Sequence, residues 1–222
     1  MTKRVSLPGG TGARARLLVV DDHPLLREGL RGVIDRETDL VVCGEAENAQ
    51  QAMDAVAKLR PDLVLVDVGL PGKSGLELVR DLKAMHPRLK ILAVSMHDEA
   101  LYAERMLRAG AGGYIAKQQE SSELLKATRQ VLADKVYLSK QMSESLLRRF
   151  GQKQEAGSPT ESLTDREFEV LRLLGKGVAT KDISRQLHLS AKTVAVHGAN
   201  IRKKLGLQTT AQLIRFAVQS ES

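Results

Sequence analysis

Five times between Leu17 and about Val136, a short aliphatic run gives way to a longer segment of helical periodicity, and this alternation constrains the fold more than any other feature. The runs are Leu17–Val20, Leu40–Cys43, Leu63–Val66, Ile91–Val94 and Gly113–Ala116. The segments that follow them are Leu25–Ile34, Ala49–Leu59, Leu76–Met85, Ala100–Ala109 and Glu123–Leu132, each with apolar residues at helical spacing. Runs with little apolar–polar alternation suit strands covered on both faces. A strand–helix repeat of this kind folds into parallel strands with right-handed crossovers. The expected first domain is therefore α/β, a five-stranded doubly wound parallel sheet.

In open α/β sheets, ligands bind outside the carboxyl ends of the strands. Asp21 and Asp22 follow the first run, Asp67 the third and Lys117 the fifth, while Ser95 closes the fourth. Three carboxylates suit Mg²⁺, a hard cation that takes oxygen ligands. A carboxylate can also act as a nucleophile and accept a phosphoryl group as an acyl phosphate. A metal and an ammonium group would neutralise the phosphoryl oxygens. Lys117 supplies the ammonium, and the Ser95 hydroxyl a hydrogen bond to the new phosphate. A single Asp closing a strand is more often a helix cap or an edge residue; the reading rests on four strand ends carrying suitable groups at once.

The 42% hydrophobic content supports real cores, and with 3% aromatics and no Trp they are aliphatic. The only cysteine, Cys43, cannot form an intramolecular disulfide and reads as a buried strand thiol in a reducing compartment. No apolar stretch is long enough for a membrane span, and the basic lead-in before Leu17 lacks the apolar core of a secretory signal. The expected location is cytoplasmic, with no membrane partner. The formal net charge of +7 is unevenly placed. Acidic residues outnumber basic ones between Asp21 and Leu138, and the balance reverses after Thr160, which suggests a polyanion partner for the second half.

Gly151–Ser162 is polar, rich in small residues and reads as a linker, preceded by a short amphipathic helix within Ser139–Phe150. Strand signals do not return. Thr164 with Glu167 three residues on forms a capping box at the start of a helix. Further helices are expected at Thr180–Leu187, Ser190–Leu205 and Thr210–Val218, with Ser190 as N-cap and Gly206 past the C-terminus of the third helix. The pair Thr180–Leu187 and Ser190–Leu205 has helix-turn-helix spacing. Its second helix turns Val194, Ile201 and Leu205 to one side and leaves Lys192, Thr193, His197, Asn200, Arg202, Lys203 and Lys204 on the other.

Val20-Asp21-Asp22-His23-Pro24-Leu25-Leu26-Arg27-Glu28-Gly29-Leu30, Asp62–Asp67 with Leu70-Pro71-Gly72, and Gly110–Lys117 resemble the receiver domain of two-component response regulators of the NarL/FixJ family. Leu163–Glu167, Asp182-Ile183-Ser184, Leu187–Ser190, Thr193-Val194, His197, Asn200-Ile201 and Lys204–Gly206 resemble the LuxR-type helix-turn-helix. The resemblance implies a flavodoxin-like receiver at 16–136 and an all-α DNA-binding domain at 162–222. A lead-in at 1–15 and a linker at 137–161 would complete the chain.

By the same resemblance, Asp67 accepts a phosphoryl group from a sensor histidine kinase, and Mg²⁺ is held by Asp21, Asp22, Asp67 and the backbone carbonyl of Gly69. Lys117 pairs with the phosphate, Ser95 is the switch hydroxyl and Tyr114 the switch aromatic. The recognition helix, Ser190–Lys204, would enter the major groove of promoter DNA. Lys192, Thr193, His197, Asn200 and Lys203 are candidates there for base or phosphate contacts, and Lys181 and Lys204 for phosphate. A phosphorylated homodimer is implied, with RNA polymerase as a further partner the resemblance allows. In relatives the inactive receiver masks the recognition helix.

Some positions depart from the family. Gly69 replaces a larger side chain and should leave the pocket more open. Ala195 stands where a Lys is common, and Ala179-Thr180 where a Ser-Asn pair is common, so operator preference or affinity should shift. His23 reads as a solvent-facing loop residue before a helix begun by Pro24. An enzyme reading is disfavoured, because aspartate phosphatases of the haloacid-dehalogenase type need a second Asp where Gly69 lies. A receiver that dimerises without phosphate is the other alternative.

Overall fold

The computed structural model describes residues 13–96, 99–144 and 159–220. Its first half alternates strands and helices: β1 (Ala15–Val20), α1 (Pro24–Ile34), β2 (Leu40–Ala46), α2 (Ala49–Leu59), β3 (Leu63–Val66), α3 (Gly75–Met85), β4 (Lys90–Ser95), α4 (Glu99–Ala109), β5 (Gly113–Ala116) and α5 (Ser121–Leu132). The sheet is parallel, in the order β2-β1-β3-β4-β5. Alternate residues of each strand feed opposite cores. Leu17, Val19, Leu63, Leu65, Leu92, Val94 and Ile115 pack with Leu30, Ile34, Leu124 and Val131 of α1 and α5. Leu18, Val20, Val64, Val66, Ile91, Ala93 and Tyr114 pack with residues of α2, α3 and α4. Burial on both faces explains why the central strands read as unbroken aliphatic runs.

β2, one of the two edge strands, is the exception and mixes buried with half-exposed residues. Cys43 is accordingly half-buried rather than fully enclosed, and burial raises its thiol pKa. β1 begins two residues before the expected run Leu17–Val20, so Ala15, the last residue of the expected lead-in, already belongs to the sheet. Its first twelve residues lie outside the described residues, as do Leu146, Leu147 and Phe150 of the expected linker helix, of which residues 140–144 are helical.

A 3₁₀ turn, Pro159–Ser162, leads into α6 (Asp165–Gly175), α7 (Thr180–Gln186), α8 (Ala191–Leu205) and α9 (Thr210–Ser220). The Thr164–Glu167 capping box forms, Ser190 accepts from the Thr193 amide, and Gly206 ends α8 at φ 67°. Ile183, Val194, Ile201, Leu213 and Ala217 make the small core of this all-α domain. Among the described residues no helix is long and apolar enough to cross a membrane.

Candidate functional site

Backbone hydrogen bonds continue the sheet ladder one residue past the strands, and this brings the chemical groups together. The Asp21 amide donates to the Ala46 carbonyl (3.0 Å), Asp67 to Val20 (2.8 Å) and Lys117 to Ser95 (2.8 Å). Asp21 and Asp67 are buried, and the Lys117 ammonium lies between them, 2.6 Å from one carboxylate and 3.0 Å from the other. Burial pushes the Asp67 carboxyl above the ordinary carboxylate range; Lys117 pulls it back and the Asp21 charge opposes that pull. The Gly69 amide also donates to Asp67.

One oxygen each from Asp21, Asp22 and Asp67 and one His23 ring nitrogen lie within 4.8 Å of one another. Asp22 Oδ1 is buried without a well-directed hydrogen bond, although His23 Nδ1 is 2.9 Å away. An under-satisfied carboxylate oxygen beside two other carboxylates fits a divalent cation. His23 N-caps α1 and its ring is largely exposed, yet its Nδ1 is turned toward Asp21 and Asp22 rather than to open solvent.

Ser95 and Tyr114 are fully buried and share a hydrogen bond, and burial raises the Tyr114 phenol pKa. Their side chains thus sit inside the sheet–α4 core, with Tyr102 of α4 nearby. The expected switch pair is brought together, with the aromatic already turned inward.

In the helical domain the expected DNA residues divide. Lys181, Lys192, Asn200 and Lys203 are exposed. The Thr193 hydroxyl bonds Ser190 Oγ at 2.7 Å. His197 is half-buried; its Nδ1 has no hydrogen-bond partner, and burial lowers its pKa. Lys204 is tied to Glu167 at 2.7 Å. His197 is therefore turned partly toward α6, while Lys204 stays exposed with its ammonium tied to α6.

The receiver covers α6, and the outward face of α8 stays exposed at Lys192, Ala195, Asn200 and Lys203, so the expected masking of the recognition helix takes a different form. Asp165 pairs with Arg80 of α3 (2.8 Å) and Arg105 of α4 (3.3 Å). The Arg105 guanidinium lies 3.9 Å from the centre of the Phe168 ring, and Phe168 meets Tyr102 edge-on at 5.8 Å. Arg166 pairs with Glu169 at 2.6 Å and donates to the Leu70 (3.3 Å) and Gly72 carbonyls of the β3–α3 loop. His188, in the turn before α8, comes within 3.9 Å of Asp22.

Several of these roles escaped sequence reasoning. Arg27 of α1 donates to the Asp21 carbonyl (2.6 Å) and pairs with Glu45 and Glu47, which fixes the backbone that carries the acidic pair. Gly75 presses on the Asp67 backbone so closely that an added Cβ would lie 1.9 Å from its carbonyl oxygen. Arg27 lies in the stretch Val20–Leu30 that carries the family resemblance, but its carboxylate partners come from β2 and the turn after it, which no local pattern reveals.

A model of the response regulator receiver domain matches residues 17–129, and one of bacterial regulatory proteins of the luxR family matches residues 161–217. The chain is 35% identical to the response regulator GacA of Pseudomonas viridiflava, with 92% of this chain and 95% of that protein covered. It is 34% identical to the nitrate/nitrite response regulator protein NarL of Escherichia coli, covering 89% and 92% respectively. Among solved structures, a LuxR-family two-component response regulator from Aurantimonas sp. SI85-9A1 superposes with a TM-score of 0.59 at 32% identity, over 63% of this chain and all of that one. RcsB of Salmonella enterica, bound to promoter rprA in the presence of phosphomimetic BeF₃⁻, shares the fold, with a TM-score of 0.62 at 24% identity, over 93% and 99%.

Proposed function

The chain belongs to the NarL/FixJ family of two-component response regulators, DNA-binding transcriptional regulators with a receiver and a LuxR-type helix-turn-helix, and from that premise we propose that Asp67 is the residue on which its signal is written. The observation that carries this is the Lys117 ammonium, held between the buried carboxylates of Asp21 and Asp67. Asp22 and Ser95 lie at the ends of β1 and β4, the strands on either side of β3, which Asp67 follows.

An Asp67 oxygen attacks the phosphorus of a phosphohistidine on a sensor kinase. The O–P bond forms as the P–N bond breaks, and its electron pair returns to the imidazole. Asp21, Asp22, Asp67 and the Gly69 carbonyl would hold Mg²⁺, which supplies charge neutralisation for the phosphoryl oxygens. Lys117 is poised to shift from Asp67 to the phosphoryl group, and the Ser95 hydroxyl to exchange its Tyr114 bond for a phosphoryl oxygen. Gly69 offers no acid or base where a hydrolase would need one, so the receiver acts as an acceptor rather than as a phosphatase.

The output is promoter binding. Lys181, Lys192, Asn200 and Lys203 present donors from the helix-turn-helix, and dimers on two half-sites would place two copies of α8 in successive major grooves. Work on chromosomal DNA with a kinase donor belongs in the cytoplasm, where RNA polymerase is a further partner at the promoter. The test is intact-protein mass spectrometry after acetyl phosphate and Mg²⁺, followed by mobility shift on DNA selected from a genomic library. Wild type should gain one phosphoryl group and bind more tightly; Asp67→Asn should do neither. Equal affinity of treated and untreated wild type would remove phosphorylation from the function.

A further inference from the structure

The helix-turn-helix domain touches both lips of the acidic pocket. On one side His188 Nε2 lies 3.9 Å from Asp22 Oδ2, and on the other Arg166 donates to the Leu70 and Gly72 carbonyls in the loop that follows Asp67. Building on the reading of this pocket as a cation-assisted phosphoacceptor, we propose that a divalent cation and the docked DNA-binding domain compete for Asp22, with His188 as the contact through which the domain does so.

Asp22 has one oxygen against His23, on its own loop, and the other toward His188, from the second domain. His23 moves with Asp22 whatever the domains do, so of these two contacts only that of His188 depends on docking. A dication seated on Asp22 takes up the carboxylate charge that His188 faces, and it needs Asp22 oxygens and water positions at the pocket mouth. His188 also lies two residues before Ser190, the N-cap of the recognition helix. The N-terminal residues of such a helix contact base edges, so with His188 on Asp22 that helix end is tethered beside the receiver, although Lys192 and Ala195 themselves stay exposed. Cation binding and release of His188 are then linked, and linkage is reciprocal: what releases His188 must tighten the cation, and what tightens the cation must release His188.

The probe is Mn²⁺, titrated into the full-length protein and followed by the electron paramagnetic resonance signal of the free ion, with DNA mobility shift as a second readout. His188 sits at φ 50°, so His188→Gly removes the ring while suiting the backbone. His86→Ala, remote from the pocket, serves as control. His188→Gly should bind Mn²⁺ about two- to fivefold more tightly than wild type, the scale of a part-exposed polar contact. It should also bind DNA more tightly before phosphorylation. Equal Mn²⁺ affinities in wild type and His188→Gly overturn the competition. Weaker Mn²⁺ binding by the variant also overturns it, because His188 would then be a ligand. Failure of both proteins to bind Mn²⁺ sinks the phosphoacceptor reading itself, an outcome separate from either of those.

Discussion

Gly75 shows how a residue without a functional group can decide whether Asp67 is correctly placed. A Cβ there would meet the Asp67 carbonyl oxygen at 1.9 Å and the Asp67 carbonyl carbon and Val68 Cα at 2.8 Å, all of them backbone atoms that cannot swing aside. Gly75→Ala should therefore push the β3–α3 loop and the phosphoacceptor out of register, at a cost of about 1–3 kcal/mol as for other overpacked sites. Urea denaturation should show a lower midpoint, and acetyl phosphate should label Asp67 more slowly. A wild-type midpoint and labelling rate would mean that the loop yields without consequence. Asp21, Asp22, Asp67, Ser95 and Lys117 were legible in the sequence because each combines a reactive group with the end of an aliphatic run. Gly75, Arg27 and His188 were not, because their significance arises from contacts with distant segments that leave no mark in local composition.

The same division holds for elements. Strands and helices of the first half were readable within a few residues because two-sided burial imposes unbroken aliphatic runs, and caps such as Thr164 and Ser190 mark helix starts chemically. α6 was readable as a helix but not as an interface. Every residue from Asp165 to Arg172 is buried, five of them charged, and the receiver supplies partners that its own domain lacks. Glu169 carries the clearest consequence. It is 3% exposed, and burial raises its carboxyl from the ordinary 4.5 to about 7, against the pull of Arg166 and with the charges of Glu77 and Asp165 adding to the rise. Because the folded, docked form holds this proton more tightly, its contribution to stability is complete below about pH 4.5 and is lost as pH rises through 7. Asp165, also raised, acts in the same direction. The urea midpoint of the unphosphorylated protein should fall between about pH 5 and pH 8, and Glu169→Gln should flatten that slope. An unchanged slope in the variant would assign the pH dependence to other groups.

At the scale of the whole molecule, the two domains and their order were legible from the change in pattern at the linker, while their docking was not. An interdomain face of this kind is as polar as ordinary surface, so composition does not single it out. Arg105 is its central member. From α4 it reaches Asp165, the carbonyls of Thr160 and Leu163, and the face of Phe168. Arg105→Ala would leave the buried Asp165 carboxylate with Arg80 alone among these pairs, and losing one hydrogen-bonding partner of a buried group costs about 1–3 kcal/mol. The loss falls on the docked state, because Arg80 and Arg105 are surface residues of the receiver once the domains part. Undocked protein should therefore become more populated, and unphosphorylated Arg105→Ala should bind promoter DNA more tightly than wild type. Since apparent affinity scales with the fraction of competent molecules, the gain must saturate when that fraction nears one. Phosphorylation should then add little to the Arg105→Ala protein while still raising the affinity of wild type. Mobility shifts of both proteins, each with and without acetyl phosphate, separate this from a nonspecific gain in DNA binding. Equal phosphorylation-dependent gains in the two proteins would show that the docked state is not what phosphorylation relieves.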